Sequence, residues 1–206
     1  MDGAMSQRSS GYARQPNEAY NTPAWIAEIM FFHLRKKALT IWEPAAGDTG
    51  LAQALERYGF RVVATKDDFF SYTSMPSDDI DAIVTNPPYG IDRKGKLASD
   101  FIRHALSFDM VRVIAMLLPI DYDSAKSRTD MFRDCRRWAE KIVLLDRIKW
   151  FDGPSSPSVN HAIYLWDRKH RGPPRISYGR RMDSGAPPPA HLDDDAPGQA
   201  GGLPRL

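Results

Sequence analysis

The chain has 206 residues, enough to bury one proper hydrophobic core. Its 28 basic and 26 acidic residues nearly cancel to a formal charge of +2, so no overall basic field announces a polyanion partner. The single cysteine, Cys135, excludes an internal disulfide and argues against a thiolate zinc site, while the lack of a membrane-length apolar stretch or signal-peptide core predicts a cytoplasmic protein with no membrane partner.

In chain order, residues 1–16 are polar and small and predict a flexible N-terminus ahead of one folded domain over 17–169. Thr22-Pro23 reads as a helix start, with proline at the first helical position and Trp25, Ile26, Ile29, Met30 and Leu34 as the apolar face. A strand over 39–43 passes through small residues into a helix over 50–58 that carries Leu51, Leu55 and Tyr58 on one stripe. Strands over 61–65 and 81–85 follow, then a helix over 99–108 and a long buried strand over 111–119. The spacing predicts a further helix over 129–140 and two final strands over 141–145 and 161–166. This alternation predicts an α/β fold of Rossmann-like, doubly wound type: a mostly parallel sheet closed by an antiparallel C-terminal hairpin, with ligands at the carboxyl ends of the strands. Only sixteen residues lie between Thr65 and Ala82. One parallel crossover needs roughly ten to twelve residues, so the sheet should be abbreviated near its third strand. The stretch 170–206 holds seven prolines and six glycines in 37 residues and is expected to be a disordered tail.

Asn86-Pro87-Pro88-Tyr89 stands at the end of the apolar run 81–85. An exocyclic amine is a poor nucleophile because its lone pair is delocalised into the ring. The Asn86 side-chain oxygen and the Pro87 carbonyl are suited to holding its two hydrogens, a positional and electrostatic form of catalysis. Pro87 and Pro88 fix two backbone torsions, so those acceptors need little reorganisation, and Tyr89 offers a face for stacking on a base. Asn-Pro and Pro-Pro pairs are also ordinary turn formers. A second segment upstream gives the first one weight: Glu43-Pro44-Ala45-Ala46-Gly47 links a strand to a helix. Gly47 permits close approach of a ligand to the backbone, and Glu43 can balance an ammonium or sulfonium group.

With Tyr20-Asn21-Thr22-Pro23 upstream, these two segments resemble the S-adenosylmethionine-dependent adenine-specific DNA methyltransferases, over roughly residues 17 to 168. The resemblance implies methyl transfer from S-adenosylmethionine to the amine of adenine turned out of its helix. Tyr20, Thr22, Pro23, Glu43, Pro44, Ala45 and Gly47 would line the cofactor site, and Asn86 and Pro87 would hold the amine. The resemblance puts His161 at the base pocket, while a core or edge place suits it equally; Asp121, just past Pro119 at a strand end, is a candidate border of the substrate groove. The same tetrapeptide is shared with enzymes that methylate glutamine amides on proteins or amines on RNA, and a non-catalytic nucleic-acid binder of this fold stays open. The pattern departs from the family in two places. Lys66 stands where an acid that holds the ribose is expected, leaving Asp67 or Asp68 for ribose or adenine contacts. No separate recognition domain is evident, which leaves room for a homodimer or a partner subunit that supplies sequence specificity.

Eight Lys or Arg against four acids between Lys126 and Lys149 suggest a phosphate-facing ridge, with Arg133 and Arg137 as candidate contacts to nucleic acid, DNA ahead of RNA. Such a run is equally a solvated helix face. Trp150-Phe151-Asp152-Gly153 reads as a hydrophobic cluster under a loop or as a stacking surface, and His33 as a surface or capping histidine.

Overall fold

A computed structural model describes residues 22–35, 40–89, 96–150 and 159–182. Among the described residues seven strands make a single sheet: β1 (Thr40–Glu43), β2 (Arg61–Ala64), β3 (Ala82–Thr85), β4 (Val113–Pro119), β5 (Trp138–Leu144), β6 (His161–Asp167) and β7 (Arg175–Gly179). Their order is β2-β1-β3-β4-β6-β5-β7. The first four pair in parallel, and β6 inserts antiparallel between β4 and β5, which is the expected C-terminal hairpin.

Helices cover both faces because the parallel strands are apolar on both. Ile26, Met30 and Leu34 of α1 (Ala24–Leu34) and Leu51 and Leu55 of α2 (Gly50–Arg57) pack with Ile41, Val84, Leu117 and Ile163 on one side. Phe101 and Ile102 of α3 (Leu97–Ser107) pack with Trp42, Ile83, Met116 and Trp166 on the other.

The abbreviation near the third strand is as expected. Doubly wound sheets place a further strand outside the second; among the described residues β2 is itself the edge. The segment between β2 and β3 makes one short 3-10 turn, Phe69–Ser71, started by Asp68, whose carboxylate accepts from the Phe70 amide at 3.1 Å. Aromatic packing replaces the missing strand. Phe69 is 2% exposed and stacks on Phe101 at 4.4 Å, and Tyr72 meets the Trp42 ring edge at 4.9 Å. Burying Phe69 is worth about 1.5–3 kcal/mol, enough to hold a segment without ladder hydrogen bonds.

Three expectations are corrected. The helix over 129–140 does not form: its first part is a series of turns, and its last three residues belong to β5. Met131, Phe132 and Trp138 have helical spacing, yet Trp166 Nε1 donates to the Met131 carbonyl at 2.7 Å and Arg137 to the carbonyls of Leu106 and Val111. These tertiary partners take the place of a helical ladder. Secondly, the expected tail contains β7, which pairs in parallel with β5, while residues 183–206 lie outside the described residues. Glu140 of β5 draws it in, accepting from Arg175 at 2.9 Å and Ser177 at 2.7 Å. Thirdly, Pro23 occupies the N-cap of α1 rather than its first turn, and Thr22 caps nothing. The Thr22 hydroxyl turns instead to Asn86.

Candidate active site

β1 and β3 are parallel neighbours, with Ile41 opposite Ala82 and Trp42 opposite Ile83. The Glu43 and Asn86 segments therefore leave the sheet at the same carboxyl edge, where strand ends and unpaired loop backbone make ligand sites in such folds. Between them stands Thr85, fully buried, with its hydroxyl against the Glu43 carboxyl.

Glu43 is 1% exposed. Burial drives its pKa up to about 8, against weaker opposing pulls from the Thr85 hydroxyl and the Ala45 amide. That amide donates to Oε1 at a long 3.3 Å, and the Thr85 hydroxyl closes no hydrogen bond of full geometry. Among the described residues this buried carboxyl is thinly supplied with donors, which is why burial dominates its pKa.

The loop after Glu43 is shaped by its small residues. Pro44 and Ala46 are buried, Ala45 is half-buried, and Gly47 is exposed with φ +39°. Thr49 adopts φ +70°, unusual for a residue with a branched side chain, and Asp48 Oδ1 accepts from the Gly50 amide at 3.0 Å to open α2. The loop is tied to the end of β2: the Thr65 amide donates to the Glu43 carbonyl at 3.0 Å, and the Ala46 amide to the Thr65 carbonyl at 3.1 Å.

At the neighbouring strand end, Pro87 is buried and Asn86, Pro88 and Tyr89 are half-buried. Asn86 Nδ2 donates to Thr22 Oγ1 at 3.3 Å, and Thr22 is 8% exposed at the entry to α1. The Tyr89 hydroxyl lies 2.8 Å from Asn86 Oδ1 and 2.8 Å from the Leu117 carbonyl of β4. Its ring leans on the core cluster that holds Trp42 and Phe101. The tyrosine expected to stack on a base is thus tethered by its hydroxyl.

Three of the sequence-derived segments meet here: Thr22-Pro23, the Glu43 loop and Asn86 to Tyr89. Tyr20 lies outside the described residues. Beyond β2, Lys66, Asp67 and Asp68 are exposed; Asp67 accepts from the Tyr72 hydroxyl at 3.0 Å and Asp68 is engaged as the turn cap. His161 opens β6 opposite Pro119. It is 5% exposed and neutral, its pKa pushed down to about 4 by burial, and the Trp150 ring edge packs on it at 5.4 Å. Asp121 is exposed just beyond β4. Residues 151–153 lie outside the described residues.

The basic run does not form one ridge. Arg137 turns inward onto two carbonyls, Lys141 pairs with Asp123 at 2.8 Å, and only Arg133 of the two candidates stays exposed, paired with Asp134 at 2.7 Å. A helix would have aligned these side chains; the turns and β5 scatter them. Sequence reasoning also missed Thr85 and the Leu117 carbonyl. The signal for Thr85 was a lone hydroxyl closing an otherwise apolar strand.

No family model matches the sequence, and no curated protein matches it. Among solved structures, the chain is similar to a candidate class I S-adenosylmethionine-dependent methyltransferase from Listeria monocytogenes, with TM-score 0.58 and 14% identity over 82% of this chain and 68% of that one. It is similar also to the type IIG restriction endonuclease BpuSI, with TM-score 0.52 and 15% identity, covering 72% of this chain and 25% of the endonuclease. The fold is that of class I methyltransferases. Among the described residues no helix is long and apolar enough to cross a membrane.

Proposed function

We propose that this chain is an S-adenosylmethionine-dependent amino methyltransferase whose acceptor is the exocyclic amine of adenine in nucleic acid, DNA ahead of RNA. One observation carries the reading: the Asn86 carboxamide, at the end of β3, is held against Thr22 and stands one residue from the Thr85 hydroxyl that faces the buried Glu43 carboxyl. A group suited to an amine and a group suited to a cation share one strand edge.

The residues present fit the donor at its amino-acid end. Glu43 and the poorly satisfied Thr85 hydroxyl would hold an ammonium group, with Thr22, Pro23, Pro44, Ala45 and Gly47 around it. At the ribose end the carboxylates are Asp67, which accepts from the Tyr72 hydroxyl through one oxygen, and Asp68, which caps the turn through one oxygen; Lys66 brings the opposite charge. S-adenosylmethionine, when bound, supplies a methyl group already activated on a sulfonium, so no strong base is required. The chain's own part is positioning. Asn86 Oδ1 and the Pro87 carbonyl accept the two amine hydrogens, the two prolines keep those acceptors from swinging, and Asp121 and His161 border the base. His161, neutral at physiological pH, would read the base by hydrogen bonding rather than by charge.

The test offers labelled S-adenosylmethionine with adenine-containing DNA, RNA and protein in parallel. Label is expected on the adenine amine of DNA, and Asn86→Ala should lower kcat by about 10²–10³-fold while calorimetric binding of S-adenosylmethionine persists. Full activity in Asn86→Ala, or label confined to protein, refutes the reading. An absence of binding heat in the wild type would instead favour a non-catalytic protein, the outcome toward which Lys66 points.

A further inference from the structure

A carboxamide carries an acceptor and a donor of nearly equal shape, so an asparagine that must accept from an amine needs its two ends told apart. Both ends of Asn86 are held. Nδ2 donates to Thr22 Oγ1 at 3.3 Å, and Oδ1 accepts from the Tyr89 hydroxyl at 2.8 Å. The phenol oxygen is also 2.8 Å from the Leu117 carbonyl, which can only accept, so a single phenolic hydrogen serves two acceptors. A ring present only for stacking has no use for this tether.

We propose that Tyr89 is a positioning residue that acts through its hydroxyl, and that with Thr22 it locks the Asn86 carboxamide with the oxygen presented to the substrate. When an amine hydrogen arrives at Oδ1, the phenolic hydrogen turns wholly onto the Leu117 carbonyl, and the ring keeps its place. No bond is made or broken in this exchange; one hydrogen bond replaces another. The lock selects as well as orients. A ring oxygen at the same point would face Asn86 Oδ1 as one acceptor against another, so amines are admitted and oxo groups are turned away. The catalytic consequence rests on the amine-transfer reading, whereas the lock is a property of the folded chain.

Both can be read separately in the full-length protein. By 15N relaxation, the Asn86 side-chain amide, assigned from its loss in Asn86→Asp, should be as ordered as the backbone in the wild type and in Thr22→Ser. It should become mobile in Tyr89→Phe, which keeps the ring, and in Thr22→Val. In the DNA transfer assay, Tyr89→Phe and Thr22→Val should each lower kcat about tenfold with KM unchanged, and Thr22→Ser should restore it. The double variant should be little worse than either single one, since both release the same group. An Asn86 amide that is mobile in the wild type, or equally ordered in Tyr89→Phe, overturns the lock. So does a Tyr89→Phe variant that raises KM at full kcat, the result expected of a stacking ring. A wild type that transfers no methyl group defeats the functional reading, and the amide dynamics still decide the lock.

Discussion

Glu43 and Glu140 lie in the same sheet, 1% and 3% exposed, and answer burial in opposite ways. Burial pushes Glu43 up to about 8. The same burial works on Glu140, but His33, Arg175 and Ser177 outweigh it and hold the carboxyl down at about 2. At the end of β1 the described residues supply a long amide contact at 3.3 Å and the weak pull of the Thr85 hydroxyl. On β5 it supplies an imidazole at 3.2 Å, a guanidinium at 2.9 Å and a hydroxyl at 2.7 Å. The difference separates a carboxyl that builds the fold from one left short of donors, among the described residues, at the carboxyl edge of the sheet. Among the described residues Glu140 is fully supplied by the protein and Glu43 is not, and the proposed cofactor site rests on that contrast.

The comparison breaks first at Glu140. Glu140→Ala removes three donors' partner and should lower unfolding free energy by about 2–3 kcal/mol in urea titration; the loss is moderate because the Arg175 side chain is 69% exposed and returns to water. An unchanged midpoint would show that β7 does not depend on this carboxylate. Glu43→Gln should do the reverse: little change or a gain in stability, with S-adenosylmethionine affinity lowered about tenfold by calorimetry. Equal affinity in the two proteins would remove Glu43 from the cofactor site.

The pH dependence sharpens the contrast. A carboxyl lowered by folding contributes stability above its unfolded value that disappears as pH falls through its folded value. Glu140 should therefore give an acid limb between about 4.5 and 2, absent in Glu140→Ala. Glu43 is raised, so the folded state holds its proton more tightly and stability should fall as pH rises from 4.5 to about 8, a slope absent in Glu43→Gln. For the same reason, cofactor binding at neutral pH should release a proton, visible as a dependence of calorimetric heat on buffer ionisation enthalpy. A purely steric effect lies where β7 meets α1. A Cβ on Gly179 would sit 2.9 Å from Ile29 Cγ2, so Gly179→Ala should cost about 1–2 kcal/mol in the same urea titration, since a methyl group at a side-chain tip can partly give way.

The candidate site was more legible than the C-terminal half of the sheet. Glu43 and Asn86 each end an apolar run, and the alternation of strands and helices puts such ends on one edge, so local pattern sufficed. The shortened crossover was legible by length alone. The run 129–140 misled because Met131, Phe132 and Trp138 satisfy a helical period, while the alternation of buried Trp138, Glu140 and Ile142 is also that of a strand. β7 was hidden in a proline- and glycine-rich stretch; its pairing with β5, and the contact of Arg175 with Glu140 thirty-five residues away, exist only in the folded chain.

Apolar periodicity, small-residue loops and spacing determined the fold class, the missing strand and the pair of motifs, because each is an interaction among near neighbours in the chain. Which buried carboxyl is satisfied, where Arg137 points, whether Pro/Gly-rich residues join the sheet, and that Thr22 and Tyr89 grip the two ends of Asn86 were decided only in three dimensions. Those properties depend on donors brought from distant segments, and hydrogen-bond supply at a buried group is fixed by what packs against it, not by what precedes it.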